Sequence, residues 1–124
     1  MSTLKADTIQ STSGGAATLT KLYAAKFWVS FNGTGTPAIR DSFNSASLTD
    51  NGTGDFTNTY TNAMDNIGYC IDSLASRYMS VIKDSAGFSG ADPTTTTVRT
   101  GHYNSTPSAS DGHITSVKVT GDLA

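Results

Sequence analysis

The sequence of 124 residues contains no glutamate, no block of basic residues and no long apolar run. No segment approaches the roughly 20 apolar residues of a membrane span, and the N-terminus lacks the charged-then-apolar pattern of a signal peptide. The formal net charge of −2 offers no attraction for non-specific binding to nucleic acid or anionic lipid. We therefore expect no membrane insertion, no nucleic-acid partner and synthesis in a cytosol.

Cysteine is nearly absent as well. The single cysteine, Cys70, cannot close a disulfide within the chain. It lies between Tyr69 and Ile71 with no cationic residue beside it, so we predict a small buried residue and not a reactive thiol.

The residues that are abundant favour β-structure. The chain has 20 threonines and 16 serines, and good helix formers are scattered. Hydrophobic residues make up only 36%, but five tyrosines, five phenylalanines and one tryptophan supply core volume from few positions. About seven short strands, separated by turn signals every 8–12 residues, predict an all-β, antiparallel β-sandwich.

The strongest local signal is the segment Lys26-Phe27-Trp28-Val29-Ser30-Phe31. Its alternation predicts a strand with Phe27, Val29 and Phe31 on the core face and Trp28 on the opposite face. The strand is predicted to stop at Asn32-Gly33. A second Asn-Gly pair, Asn51-Gly52, predicts a hairpin between residues 45–48 and 56–60, with positive φ angles at that pair.

The second half of the chain is less uniform. In residues 64–85, apolar spacings of three and four also suit an amphipathic helix, but β-prone runs favour two strands that pair through Ser73 to Arg77. Residues 94–100 are predicted to form a strand, and residues 84–93 and 104–112 to form loops. In the closing strand, Thr115, Val117 and Val119 are expected to face inward.

Residues 1–22 cannot bury a core of their own. We predict an extended N-terminal arm over 1–22 and a sandwich domain over 23–124. The apolar side chains of the arm are expected to pack on a partner chain, and they are Leu4, Ile9, Leu19 and Leu22.

Several motifs in the first half carry a resemblance to a known family. They are Leu4-Lys5-Ala6-Asp7-Thr8-Ile9-Gln10, Ser13-Gly14-Gly15-Ala16, Asn32-Gly33-Thr34-Gly35, Ile39-Arg40-Asp41-Ser42-Phe43-Asn44 and the run from Leu48 to Phe56. In order and spacing they resemble tail-fibre-type virion proteins of marine and cyanobacterial bacteriophages. These are turn-forming motifs, which carry fold and virion context but no chemistry.

The resemblance implies a non-enzymatic structural protein of the virion, assembled in the host cytoplasm. It implies a homotrimer, for which the arm and Trp28 are the interface candidates, although Trp28 could equally lie under the arm of its own chain. Expected partners are other virion proteins of the tail, baseplate or capsid, and a host-surface glycan. A capsid decoration protein is the alternative from the same class, and a carbohydrate-binding module is a third.

Candidate catalytic and metal residues are few. The spacing of His102, Asp111 and His113 matches no zinc motif, and we interpret both histidines as solvent-facing loop residues. Asp41, Asp50 and Asp55 lie beside Gly, Asn or Ser, so turn capping is favoured over glycoside hydrolysis. We therefore predict no enzyme activity, no cofactor and no metal.

A shallow sugar-binding surface is the remaining candidate. An aromatic ring can stack on a pyranose while polar neighbours bond its hydroxyl groups. The receptor-contact candidates in the loops are Phe88, His102, Tyr103 and Asn104.

Overall fold

A computed structural model describes residues 25–84, 90–106 and 108–122, which form eight β-strands and no helix. The strands are β1 (Ala25–Asn32), β2 (Ala38–Phe43), β3 (Ser45–Gly52), β4 (Asp55–Tyr60), β5 (Cys70–Ala75), β6 (Met79–Ile82), β7 (Thr97–Tyr103) and β8 (Thr115–Thr120). Antiparallel pairing joins them into two four-stranded sheets, ordered β2-β1-β8-β5 and β3-β4-β7-β6. The predicted all-β sandwich is confirmed, and the two strands in residues 64–84 exclude the helical alternative there.

The core forms where the alternating strands of the two sheets face each other. Phe27, Val29 and Phe31 of β1 are at most 1% exposed, as predicted from their alternation. Their partners Val117 and Val119 on β8 are buried beside them. Burial of each such side chain contributes about 1.5–3 kcal/mol to the stability of the fold. These residues lie on β1 and β8, the two central strands of the first sheet.

Aromatic rings join the two sheets across this core. Phe27 contacts Tyr60 with ring centroids 4.7 Å apart, and Phe31 contacts Phe56 at 5.2 Å. Both pairs connect β1 with β4, the central strands of opposite sheets. Tilted and edge-on pairs of this kind add about 0.5–1.5 kcal/mol beyond the area they bury.

The chain crosses between the sheets four times, and two of these connections contain a non-glycine residue with positive φ. Asn44 (φ 59°) leads from β2 to β3, and Arg77 (φ 67°) lies between β5 and β6. The Asn44 side chain stabilises this unfavourable backbone conformation through two hydrogen bonds. Its Nδ2 donates to Lys26 O at 2.9 Å, and its Oδ1 accepts from Asn62 N at 2.7 Å. The crossover at Arg77 shows that the predicted pairing of the strands on either side of it is wrong. Strand β5 pairs with β8, and β6 pairs with β7.

The predicted hairpin is present, but its turn lies two residues later than expected. Strand β3 continues through Asn51 to Gly52, and the positive φ angles occur at Gly52 (132°) and Gly54 (64°). A register shift between Asp50 and Gly52 accommodates the extra residue. The Asp50 carboxylate accepts a hydrogen bond from Gly52 N at 2.9 Å, as predicted for a turn-capping aspartate.

Two further predictions are wrong in detail. Cys70 is exposed, because it starts β5 on the outer face while Ile71 turns toward the core. The strand predicted over residues 94–100 begins only at Thr97. Thr94 Oγ1 instead accepts hydrogen bonds from the backbone N–H groups of Thr96 and Thr97, which forms a turn.

The sandwich has two distinct ends. We call the end with the first residue of β1 and the last residue of β8 the proximal end, since Ala25 and Thr120 are paired there. The distal end, where β1 stops at Asn32 and β8 begins at Thr115, gathers residues 33–37, 53–54, 76–78, 104–106 and 108–114. Seven residue steps along β1 separate the two ends by roughly 23 Å, at about 3.3 Å per residue.

Candidate functional site

The distal end contains a recess of about 480 Å³. We call it the distal recess, and its lining residues are Thr34, Ser76, Arg77, Tyr78, Asp111, His113 and Ile114. They come from the β1–β2, β5–β6 and β7–β8 connections. The volume falls within the roughly 300–1,000 Å³ of small-molecule sites, and every lining residue except Ile114 carries a polar side-chain group.

Backbone hydrogen bonds hold the walls of the distal recess together. Gly33 N donates to Gly112 O at 2.9 Å, which ties the first connection to the last. Ser76 N donates to Ile114 O at 2.8 Å, and Ile114 N donates back to Ser76 Oγ at 3.1 Å. The recess is therefore built on connections that are bonded to one another.

Charged groups of both signs meet at the distal recess. Asp111 is held in place because its Oδ1 accepts a hydrogen bond from Gly54 N at 2.6 Å. Arg40 of β2 approaches His113, with Nη2 and Nε2 3.4 Å apart. Within the part of the chain that the structure describes, the Arg77 guanidinium has no hydrogen-bond or ion-pair partner. An unpaired arginine in a polar recess can bind an anionic group.

A second candidate site is the outer face of the first sheet. The strand register shows which side chains lie opposite one another on this face. Trp28 lies opposite Phe43 on one side and Lys118 on the other. Lys118 forms a 3.1 Å ion pair with Asp72 on β5, and Leu74 occupies the next position on that face. We call this surface the Trp28 face. Phe43 is 50% exposed and Leu74 is 72% exposed, so large apolar groups on it face solvent.

The predicted position of Trp28 is confirmed, since it lies opposite Phe27, Val29 and Phe31 and is half-buried. The other interface candidates, Leu4, Ile9, Leu19 and Leu22, lie outside the described residues, and so does the receptor candidate Phe88.

The prediction that His102 is a solvent-facing loop residue is wrong. His102 lies within β7 and is 0% exposed. Its ring stacks against Phe31, with centroids 6.4 Å apart, and is tilted toward Phe56 at 5.4 Å. A residue at this position cannot contact a receptor. Strand β7 extends to Tyr103, three residues beyond the end predicted at residue 100, and therefore includes His102.

The buried position of His102 has electrostatic consequences. Neither ring nitrogen has a hydrogen-bond partner among the described protein groups, and Thr100 Oγ1 and Thr115 Oγ1 are likewise unpaired. Burial lowers the pKa of His102, and the nearby charges of Asp111 and Asp55 offset that effect only in part. The imidazole is therefore neutral in the folded protein near pH 7.

The other two receptor candidates lie near the distal end but are engaged with the protein itself. The Tyr103 ring lies over Gly101, since a Cβ at Gly101 would be 3.0 Å from Tyr103 Cε2. Asn104 Oδ1 accepts hydrogen bonds from the backbone N–H groups of Thr106 and Ser108, both at 3.0 Å. Neither residue lines the distal recess.

Asp55 is not the turn-capping residue that was predicted. It lies on β4, where Arg99 forms two hydrogen bonds of 2.7 Å to its carboxylate and Lys83 Nζ forms a third at 2.7 Å. Burial alone would raise the pKa of Asp55, but the hydrogen bonds from Arg99 and Lys83 lower it below its usual value. The lysine stem crosses the face of β7 at Gly101, with Cγ and Cδ each 3.2 Å from where a Cβ would lie. This cluster stabilises the outer face of the second sheet.

Among residues 25–84, 90–106 and 108–122, no group of three His, Cys, Asp or Glu side chains could hold a metal ion. No helix in the same ranges has the length and hydropathy needed to cross a membrane.

Sequence reasoning did not identify the distal recess. Asp111 and His113 were considered only as metal ligands with His102, which points into the core instead. Nothing in the local sequence brings Arg77 beside His113, because their proximity depends on the pairing of β5 with β8. The positive φ of Arg77 could not be predicted either, because no sequence pattern marks a non-glycine residue that adopts this conformation.

Comparison with protein-family models, with curated protein sequences and with solved structures found no match to this chain. The function is therefore argued from the two surfaces described above.

Proposed function

We propose that this chain is a non-enzymatic structural protein of a phage virion, a short tail fibre or appendage that acts in assembly and in contact with the host surface. The observation that carries the proposal is that the sandwich has two different ends, the proximal and the distal end. Residues 1–24 precede β1 at the proximal end, while the connections that form the distal recess lie at the other end. An attachment protein needs this separation, because one end is anchored and the other meets the target.

The Trp28 face supports self-association as a homotrimer. Phe43 and Leu74 expose apolar surface on a sheet whose edge strands, β2 and β5, each pair with only one strand among the described residues. Covering one large apolar side chain contributes about 1.5–3 kcal/mol. Three chains that each cover the Trp28 face of a neighbour, with residues 1–22 packed along the axis, would remove this surface from water.

Light scattering on the purified full chain tests the proposal. We expect the mass of a trimer, and a lower stability of that trimer when residues 1–22 are removed. Phe43→Ser should dissociate it because the residue lies on the Trp28 face. The matched control is Ile67→Ser, which alters a 67% exposed side chain in the β4–β5 connection. A monomeric full chain at every concentration tested would refute the trimer.

The same separation of the two ends is compatible with a capsid decoration protein that docks through its proximal end. The number of copies per virion separates the two roles. A few trimers per particle indicate an appendage, whereas hundreds of copies indicate a component of the shell. Absence from purified particles would refute both.

A further inference from the structure

We infer that the distal recess binds an acidic saccharide, whose carboxylate pairs with Arg77 and whose hydroxyl groups bond the polar lining. The inference deepens the attachment role proposed above and rests on that role for the biological source of the saccharide. Binding itself depends only on the geometry of the recess.

The carboxylate is inferred from the charges at the rim. Arg77 is exposed, lines the recess and forms no ion pair with the described residues. Arg40 adds a second positive charge beside the recess, with its Nη2 3.4 Å from Nε2 of the lining residue His113. A planar guanidinium can form two parallel hydrogen bonds to a carboxylate, and one unpaired arginine therefore provides a site for one acid group.

The saccharide is inferred from the remaining lining. Thr34, Ser76 and Tyr78 bring hydroxyl groups, and Asp111 keeps Oδ2 available because its hydrogen bond to Gly54 N uses Oδ1. Such a mixture of donors and acceptors suits a ligand with several hydroxyl groups. The half-buried ring of Tyr78 offers an apolar surface for the C–H face of a pyranose.

The same lining disfavours a phosphate group. A phosphate carries more negative charge than a carboxylate, and the carboxylate of Asp111 in the same recess would repel it. Three backbone N–H groups at this end, those of Gly33, Ser76 and Ile114, already donate within the protein and are not available to a phosphate.

The backbone at Arg77 indicates that its side chain has a role beyond folding. Its φ of 67° is a conformation that favours glycine or asparagine. Asn44, at the β2–β3 crossover, bonds backbone groups through its side chain, whereas the Arg77 side chain forms no such bond to a described residue. An arginine held in an unfavourable backbone conformation, without a local contact in return, is typical of a functional position.

The test is a calorimetric titration of the full chain with three acidic saccharides, namely trigalacturonate, glucuronate and N-acetylneuraminate. Maltotriose and inorganic phosphate are the neutral and non-sugar probes. We expect saturable binding of at least one acidic saccharide with a Kd tighter than about 1 mM, and at least tenfold weaker binding of both other probes. The inference is overturned if no acidic saccharide binds, or if maltotriose or phosphate binds equally well.

Variants of Arg77 separate binding from folding. Arg77→Gly should weaken binding at least about tenfold while the melting temperature stays unchanged or rises, because glycine suits the positive φ. Arg77→Lys should retain part of the affinity. Lys118→Gln removes the same charge on the Trp28 face and should bind as the unmodified chain does. Full affinity in Arg77→Gly would overturn the inference.

Measuring mass on the same samples distinguishes this inference from the proposed function. A monomer that binds an acidic saccharide supports the distal recess and refutes the trimeric fibre. A trimer that binds none of the three refutes the distal recess and leaves the structural role intact.

Discussion

Replacing Asp55 with asparagine removes a carboxylate that pairs with two cations, Lys83 and Arg99, on the outer face of the second sheet. Lys83 Nζ and Arg99 Nη2 each lie 2.7 Å from the same oxygen, Asp55 Oδ2. The two cationic nitrogens are therefore no farther apart than 5.4 Å, twice that distance. The Lys83 side chain is 9% exposed, and its stem lies against Gly101. Its ammonium group therefore cannot reach water by a simple rotation of the side chain.

The cost follows from this geometry. Two unit charges about 5 Å apart repel by about 3 kcal/mol at an effective dielectric constant of about 20. Removing one member of a buried ion pair costs about 3–5 kcal/mol, and Arg99 can relieve part of this because its side chain is 27% exposed. We expect Asp55→Asn to lower the free energy of unfolding by about 3 kcal/mol, which corresponds to roughly 10–20 °C in Tm.

The assay is urea unfolding followed by the fluorescence of Trp28, the single tryptophan of the chain. The matched control is Asp72→Asn, the same chemical change in the exposed pair with Lys118, for which we expect less than about 1 kcal/mol. Lys83→Met should cost less than Asp55→Asn, because Arg99 still neutralises the carboxylate. Equal, small effects of Asp55→Asn and Asp72→Asn would refute the reasoning.

The pKa of Asp55 adds an acid-dependent signature. Because the folded-state pKa lies below the unfolded value of about 3.9, the contribution of the cluster is fully present above that pH. It is lost as the pH falls through the lower, folded-state pKa. Asp55→Asn should therefore lose less stability than the unmodified chain on acidification below about pH 4.

Three further predictions follow from particular side chains. The pKa of His102 is lower in the folded protein than in the unfolded chain, so the unfolded chain binds a proton first as the pH falls. Stability should therefore decrease below about pH 6.5, by up to about 1.4 kcal/mol per pH unit. In urea titrations, His102→Phe should flatten this decrease. Gly54→Ala should cost at least about 2 kcal/mol, since a Cβ there would be 2.6 Å from His102 O at a φ of 64°. Gly35→Ala, at φ 68° with open space around it, should cost only about 1 kcal/mol, and equal costs in thermal melts would contradict the contact argument. A thiol reagent should modify exposed Cys70 of a monomer as fast as in denaturant, and slower modification in the trimer would show that the Trp28 face is covered there.

Much of the fold could be predicted from local patterns. Alternation with a period of two is a property of the strand itself, so Phe27, Val29 and Phe31 could be assigned to the core and Trp28 to the opposite face. The same reasoning was correct for Thr115, Val117 and Val119. The burial predicted for Cys70 had a different basis, the usual burial of a lone cysteine, and it was wrong because Cys70 lies on the outer face of β5.

The candidate site could be predicted much less well. Residues that are adjacent in the distal recess, such as Arg77 and His113, come from connections that are far apart in the sequence. His102 was assigned to a loop because polar residues usually lie outside, but β7 continues to Tyr103 and carries it into the core. Asp55 resembled a turn aspartate beside Gly54, and only the pairing of β4 with β7 brings Arg99 to it.

The sequence by itself therefore determined the β class, the positions of most strands and the inward face of β1 and β8, because these depend on composition and on near neighbours. Tertiary structure alone decided which strands pair, where the chain crosses between sheets and which charges meet. The physical reason is that pairing of β5 with β8, and of β4 with β7, depends on the free energy of the whole core. No short segment contains that information, and both the distal recess and the Asp55 cluster are products of those pairings.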